Sequence, residues 1–250
     1  MKTWTNMLGA FLAVGAMVVA QAPPQKKVSK AEAEAINGFL TEKDPAAKIA
    51  KVDAFVQKFA DTQYKSMAYT QAARAAEQMG AGPKVIIYAD LAIEADPKGA
   101  YEAMLMESAE LARSTRENDL DKEDKLGKAE KMAHSGMEIA ANAPKPNAQI
   151  PDAQWEEIKK EFVGDAHRDL GMVAAVRKKY DVEVAEFKQA VEIPGQPDPA
   201  TFVRLAAAYN DNKQPDEALA TLAKMPPTPQ IASFVDKEKR RAEALKAAKK

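Results

Sequence analysis

The side chains that most often perform chemistry are few in this chain, and they stand apart from one another. The two histidines, His134 and His167, each lie in a stretch with helical periodicity. The carboxylates Asp165 and Asp169 flank His167, but they are too sparse to complete a metal-ligand set. A general-base role remains the alternative for both histidines, yet we expect packed or surface residues without a catalytic role.

Other chemical signatures point the same way. The sequence has no cysteine, which excludes disulfides, thiolate nucleophiles, iron–sulfur clusters, cysteine zinc sites and a lipoprotein anchor. It has no glycine-rich phosphate loop, no nucleophile elbow and no HExxH pattern. We therefore predict no enzymatic activity, no cofactor and no metal ion.

One acidic stretch resembles a calcium loop. Asp119, Asp121 and Glu123 alternate along it, but the glycine of the sharp turn and a glutamate at the twelfth position are missing. We interpret the stretch as a solvated charged linker. The eleven methionines are interpreted as core filling, with an adaptable binding surface as the alternative.

The N-terminal residues are typical of a secretory signal. Lys2 precedes an uncharged apolar run of about 14 residues, which is too short to cross a bilayer. Pro23 disfavours cleavage after Ala22, so cleavage after Ala20 is preferred, and a retained tether is the alternative. For a bacterial source, residues 1–22 thus predict an exported, periplasmic or secreted protein with no integral membrane span in the mature chain.

The remaining chain is predicted to be helical throughout. Apolar residues recur at helical spacing, and no stretch alternates convincingly as a strand. Asp44-Pro45 and Asp198-Pro199 each provide an N-cap followed by proline at the first helical position. The longest helix is predicted from 152 to about 177, where Gly171 allows a neighbouring helix to approach closely.

Charge and composition restrict the partners. Lysine and arginine number 36 against 37 acidic residues, for a net charge of −1, so there is no nucleic-acid footprint. Alanine supplies much of the apolar share, and short side chains favour close contacts between helices.

Internal repeats carry most of the information. Phe202-x-x-Leu205-Ala206-x-x-Tyr209, followed by Ala218-x-x-x-Leu222, resembles the tetratricopeptide repeat, a helix-turn-helix unit of 34 residues. The small residue of that unit recurs at a spacing of 35 residues in two places, between Ala73 and Ser108 and between Gly171 and Ala206.

The repeats also depart from the family pattern. Glu183 stands where a small alanine is expected, and Ser108 and Gly171 are 63 residues apart, which indicates insertions. The stretch from Phe55 to Tyr64 resembles the opening of bacterial periplasmic tetratricopeptide proteins of envelope assembly, with Ala60 in place of the usual proline.

The resemblance implies an all-α fold, an α-α superhelix of stacked antiparallel helix pairs with about four repeats and a C-terminal capping helix. The implied division is a signal at 1–22, a linker and leading helix at 23–43, repeats at 44–228, and a charged capping helix at 229–250. It also implies a scaffold of the bacterial envelope that binds a protein or peptide and performs no chemistry. The alternative is a structural protein that associates with itself.

The family binds ligands with the first helix of each repeat. Carried over by register, the implied groove positions are Thr70, Arg74, Gln78, Leu105, Ala109, Arg113, Arg168, Met172, Val203, Ala207 and Asn210. None of these helices has the Lys and Asn pair with which one groove type of the family grips terminal carboxylates. Arginines at 74, 113 and 168 would instead hold an extended acidic peptide, unless they are ordinary surface residues.

Overall fold

The computed structural model describes residues 28–248, and this part of the chain is α-helical with no strand. Eleven α-helices follow one another, together with a short 3₁₀ turn at Pro229–Ile231 before the last. They are α1 (Lys30–Leu40), α2 (Pro45–Lys58), α3 (Lys65–Gln78), α4 (Gly82–Ala95), α5 (Tyr101–Ser114), α6 (Lys122–Asn142), α7 (Asp152–Val176), α8 (Tyr180–Glu192), α9 (Pro199–Asp211), α10 (Pro215–Lys224) and α11 (Ala232–Ala248).

The helix starts follow the capping chemistry of the sequence. Asp44 accepts a hydrogen bond from the Ala47 amide at 2.7 Å, and Pro45 opens α2. Asp198 caps α9 in the same way, accepting from the Ala200 amide at 3.1 Å. These side chains satisfy amides that have no partner inside the helix. Both predicted N-caps are therefore confirmed.

Two glycines lie between the end of α3 and the first turn of α4. Gly80 adopts a left-handed φ of 66° just after α3, as expected of a terminating glycine. Gly82 is the first residue of α4 rather than part of the preceding helix end. Pro83 explains this, because its fixed φ suits the first turn of a helix.

The described residues fall into two compact units, 28–106 and 107–248. In the first, Phe39 and Phe55 pack with ring centroids 5.3 Å apart and join α1 to α2. Small residues such as Ala72 and Ala76 on α3 fill the remaining core, so helices approach closely there.

The second unit shows the close approach predicted at a glycine of its longest helix. A Cβ on Gly171 would lie 2.8 Å from Phe187 Cδ1, so only glycine lets α7 and α8 pack at this distance. At the C-terminal end, Val235 and Ala242 of α11 pack on α9 and α10 residues that include Ala206.

The repeat register is reflected in burial. Ala73, Ser108, Gly171 and Ala206 are all buried, and they lie on α3, α5, α7 and α9 respectively. Along the chain each of these helices is followed by another helix, and contacts join α3 to α4, α7 to α8 and α9 to α10. The signal predicted at residues 1–22 lies outside the described part. No helix within 28–248 is long and apolar enough to cross a membrane.

Candidate functional site

The implied groove residues of the first unit are mostly occupied within it. Thr70 is buried, and its hydroxyl donates to the Ser66 carbonyl at 2.9 Å, while Leu105 is buried as well. The guanidinium of Arg74 pairs with Glu102. Gln78 is exposed. Thr70 and Leu105 therefore serve packing in this structure and do not present their side chains to a ligand.

Asn210 is also buried, because α11 covers it. Its Nδ2 donates to the Glu238 carbonyl at 3.0 Å and lies 3.1 Å from Glu238 Oε2. Val203, on the same helix, packs against the apolar cluster around Ala206. The repeat pattern implied that Asn210 and Val203 contact a ligand. In the structure they contact α11 and the apolar cluster beneath it instead.

Arg168 is held by carboxylates of its own helix. Its guanidinium lies 2.6 Å from Asp165 Oδ1 and 3.4 Å from Asp169 Oδ1. Asp169 is fully buried, and burial raises its pKa to about 7 despite the opposing effect of Arg168. Arg168 thus compensates buried acids, and its charge is not available to a ligand in the way the register implied.

Three implied positions, Arg113, Met172 and Ala207, do lie together. They line an open cleft of about 570 Å³ within the second unit, which we name the α7–α9 cleft. Its walls come from the end of α5 and the residues just after it, from α7, from α8 and from α9. This volume is within the range of about 300–1,000 Å³ that is typical of ligand pockets.

The floor of the α7–α9 cleft is apolar. Met172 and Val176 from α7 meet Phe187 from α8 and Ala207 from α9. Phe187 and Met172 are themselves buried, so they are fixed by core packing. A floor of this kind can take up apolar side chains of a partner.

The charged residues of the cleft are not equivalent. Arg113 pairs with Glu110, and Glu117 pairs with Lys178 at 2.6 Å. Arg116 donates from Nη1 to carbonyl oxygens at the end of α5, at 2.6 Å and 3.3 Å, and therefore meets no carboxylate through these bonds.

Arg204 is the cleft residue that the register missed. It is exposed, and within residues 28–248 its guanidinium forms no hydrogen bond or ion pair. Burial of its inner part and the nearby charge of Arg168 lower its pKa, while Asp198 and Asp169 oppose that shift. The register selected Val203 instead, and one residue along a helix turns a side chain by about 100°.

Glu183, the departure from the repeat pattern, also lines the cleft. It is only 4 % exposed, and its Oε2 has no hydrogen-bond partner in the described chain. Burial and the neighbouring Asp211 raise the pKa of Glu183 to about 7, and Arg241 opposes them. A large acid therefore fills a place that the family pattern gives to a small residue.

The two histidines and the acidic stretch at 119–123, which the sequence offered as candidates for catalysis or metal binding, either make local contacts or are exposed. His167 Nδ1 lies 2.7 Å from Glu186 Oε2, and His134 is exposed on α6. Lys125 pairs with Asp121 at 2.9 Å and with Asp119 at 3.7 Å, so the acidic stretch neutralises itself. Within residues 28–248, no group of three or more potential ligands is arranged to hold a metal ion.

Comparison with known proteins supports the fold. No protein-family model and no curated protein sequence matches the chain. The solved structure of a thermophilic TPR protein from Thermus thermophilus aligns with 86 % of this chain and 98 % of its own, at 16 % identity and a TM-score of 0.52.

A second solved structure, the assembly chaperone of RpL4 (Acl4, residues 1–338), covers 87 % of this chain and 97 % of its own. It aligns at 12 % identity and a TM-score of 0.47, which is too distant to support an argument. From the successive helix pairs and the first of these alignments, the chain is an all-α protein with a tetratricopeptide-repeat-like fold.

Proposed function

We propose that this chain is a non-enzymatic scaffold that binds a protein or peptide partner through the α7–α9 cleft. The observation that carries the proposal is the cleft itself, with its apolar floor next to Arg204, whose guanidinium forms no hydrogen bond or ion pair within residues 28–248. Helical repeats commonly present such concave surfaces for binding. Similarity of fold alone would not assign a function.

The lining of the cleft is suited to binding rather than to catalysis. It offers arginine, glutamate and apolar side chains, with Thr115 as its one hydroxyl. That hydroxyl donates to the Leu111 carbonyl at 2.6 Å and is buried, so it is not poised as a nucleophile. Arginine and glutamate recognise charge and hydrogen-bonding groups, and the carbon floor excludes water.

The setting that we propose is the bacterial envelope. The signal-like pattern of residues 1–22 and the stretch from Phe55 to Tyr64 support it. Fractionation of the source cells, with mass determination of the mature N-terminus, tests this part. A mature chain beginning at Gln21 in the periplasm or medium agrees with export, and a full-length chain in the cytosol contradicts it.

The binding proposal is tested by filling the cleft. Ala207→Trp places a large ring over the floor, whereas Ala244→Trp adds the same ring on the exposed side of α11. Both variants are first compared with the wild type by circular dichroism and thermal unfolding. In affinity purification from the source cells, a partner of the cleft is recovered with the wild type and Ala244→Trp but not with Ala207→Trp.

Two other results are informative. If all three proteins recover the same material, the cleft is not the working surface and the proposal fails. If light scattering shows a dimer that only Ala207→Trp dissociates, the partner at the cleft is a second copy of this chain, and the protein is a self-associating scaffold.

A further inference from the structure

The α7–α9 cleft carries a net positive charge once its internal pairs are removed. Arg113 and Glu117 are each neutralised by a neighbour, Glu110 and Lys178 respectively. Arg116 and Arg204 remain without a carboxylate through the contacts described above. Glu183 is the remaining acid, and it is only 4 % exposed.

The position of Arg204 makes it the stronger of the two cationic groups. Its side chain is exposed and its guanidinium forms no hydrogen bond or ion pair within residues 28–248, whereas Arg116 Nη1 already donates to two carbonyl oxygens. A carboxylate placed on it would therefore displace no hydrogen-bond or ion-pair partner of the described chain. Arginine binds carboxylates through two parallel hydrogen bonds, which gives direction as well as affinity.

The apolar floor adds a second requirement for the ligand. Ala207 lies on the same helix as Arg204, three residues further on, and both line the cleft. Residues three apart on a helix are neighbours on its surface. A ligand that reaches Arg204 with a carboxylate therefore has carbon surface from the half-buried Ala207, Ala175 and Val176 within reach of an adjoining group.

We propose that the α7–α9 cleft selects a peptide segment in which an aspartate or glutamate adjoins a bulky apolar side chain, with Arg204 binding the carboxylate. This rests on the proposed function and specifies its ligand. The combination of an unpaired arginine and a carbon floor favours such a segment over a nucleic acid, because phosphate recognition relies on many cationic groups. Here the overall charge is −1.

The test begins with selection of short random peptides, displayed on phage, against the full chain. The selection is run in parallel on the wild type, Arg204→Glu, Ala207→Trp and Arg240→Glu. Arg240 is an exposed arginine on α11 and serves as the matched charge-reversal control. We expect the wild type and Arg240→Glu to enrich peptides with an acid beside leucine, isoleucine, phenylalanine or methionine, and Arg204→Glu to lose the acid.

The best enriched peptide is then measured by fluorescence polarisation. Replacing its acid by the matching amide should weaken binding to the wild type by about 10-fold or more, the range expected for a charge-assisted hydrogen bond. A peptide in which lysine replaces the acid should bind Arg204→Glu more tightly than it binds the wild type. This reversal would not follow from a variant that merely misfolds.

The outcomes separate this inference from the broader one. The ligand assignment fails, but the binding cleft stands, if Ala207→Trp abolishes enrichment and the peptides selected by the wild type contain no acid. The same holds if Arg204→Glu still selects acidic peptides. If Ala207→Trp enriches the same peptides as the wild type, both the proposed binding cleft and the proposed ligand are wrong.

Discussion

Glu183 should make the stability of this protein depend on pH, and Glu183→Gln should remove the part of that dependence that Glu183 contributes. The carboxyl is 4 % exposed and its Oε2 has no hydrogen-bond partner in the described chain. Burial, and then Asp211, raise its pKa from the ordinary 4.5 to about 7. The folded protein therefore holds a proton on Glu183 at pH values where the unfolded chain has released it.

The sign and size follow from linkage. Between pH 4.5 and about 7 the folded state binds more protons than the unfolded state, so the free energy of unfolding falls as pH rises. The stability contribution of this group is fully present below pH 4.5 and is lost as pH passes through 7. At about 1.4 kcal/mol for each pKa unit, the loss is at most about 3.5 kcal/mol.

The assay is urea unfolding, followed by far-UV circular dichroism, of the wild type and Glu183→Gln across this pH range. Glutamine has nearly the same shape and does not titrate. The free energy of unfolding of the variant minus that of the wild type should therefore rise with pH by up to about 3.5 kcal/mol. Glu243→Gln, on the exposed side of α11, is the control and should show a constant difference.

A carbon-13 NMR titration of the Glu183 carboxyl gives its pKa directly. A midpoint near 4.5, or a stability difference that does not change with pH, would refute the reasoning. Either result would mean that the carboxylate is solvated or paired in solution.

Three further changes test the packing and the caps. Gly171→Ala should lower the free energy of unfolding by about 1–3 kcal/mol, because the new Cβ meets Phe187. The control, Gly127→Ala on α6, places its Cβ in open space and should raise the free energy of unfolding by up to about 1 kcal/mol. Equal effects of the two variants in thermal unfolding would contradict the close approach of α7 and α8 at Gly171. Asn210→Ala should cost about 1–3 kcal/mol and accelerate amide hydrogen exchange in α11, and unchanged exchange there would show that this side chain does not dock the helix. Asp44→Ala should cost about 0.5–2 kcal/mol by loss of a cap, and an unchanged melting temperature would show that the cap is dispensable.

The helices and the repeat register could be predicted from the sequence because they depend on local chemistry. An N-cap such as Asp44 bonds to amides a few residues away, and apolar periodicity reports which face of a helix is buried. The small residues Ala73 and Gly171 could be placed for the same reason, since only a small side chain permits close packing at a repeat position. The sequence determined the fold class, and it singled out Glu183 as an exception.

The availability of the charged groups was decided by tertiary structure. Arg74 pairs with Glu102, which is 28 positions away, and Asn210 on α9 is buried by α11, the second α-helix after it. The groove positions carried over from the repeat pattern included Val203 and not its neighbour Arg204. Each outcome depends on which helix packs beside the side chain, and the register of a repeat fixes a helix face only to within about one residue, or 100° of rotation. The physical reason is that an ion pair forms between elements that packing brings together, whereas a cap or an apolar stripe belongs to a single element.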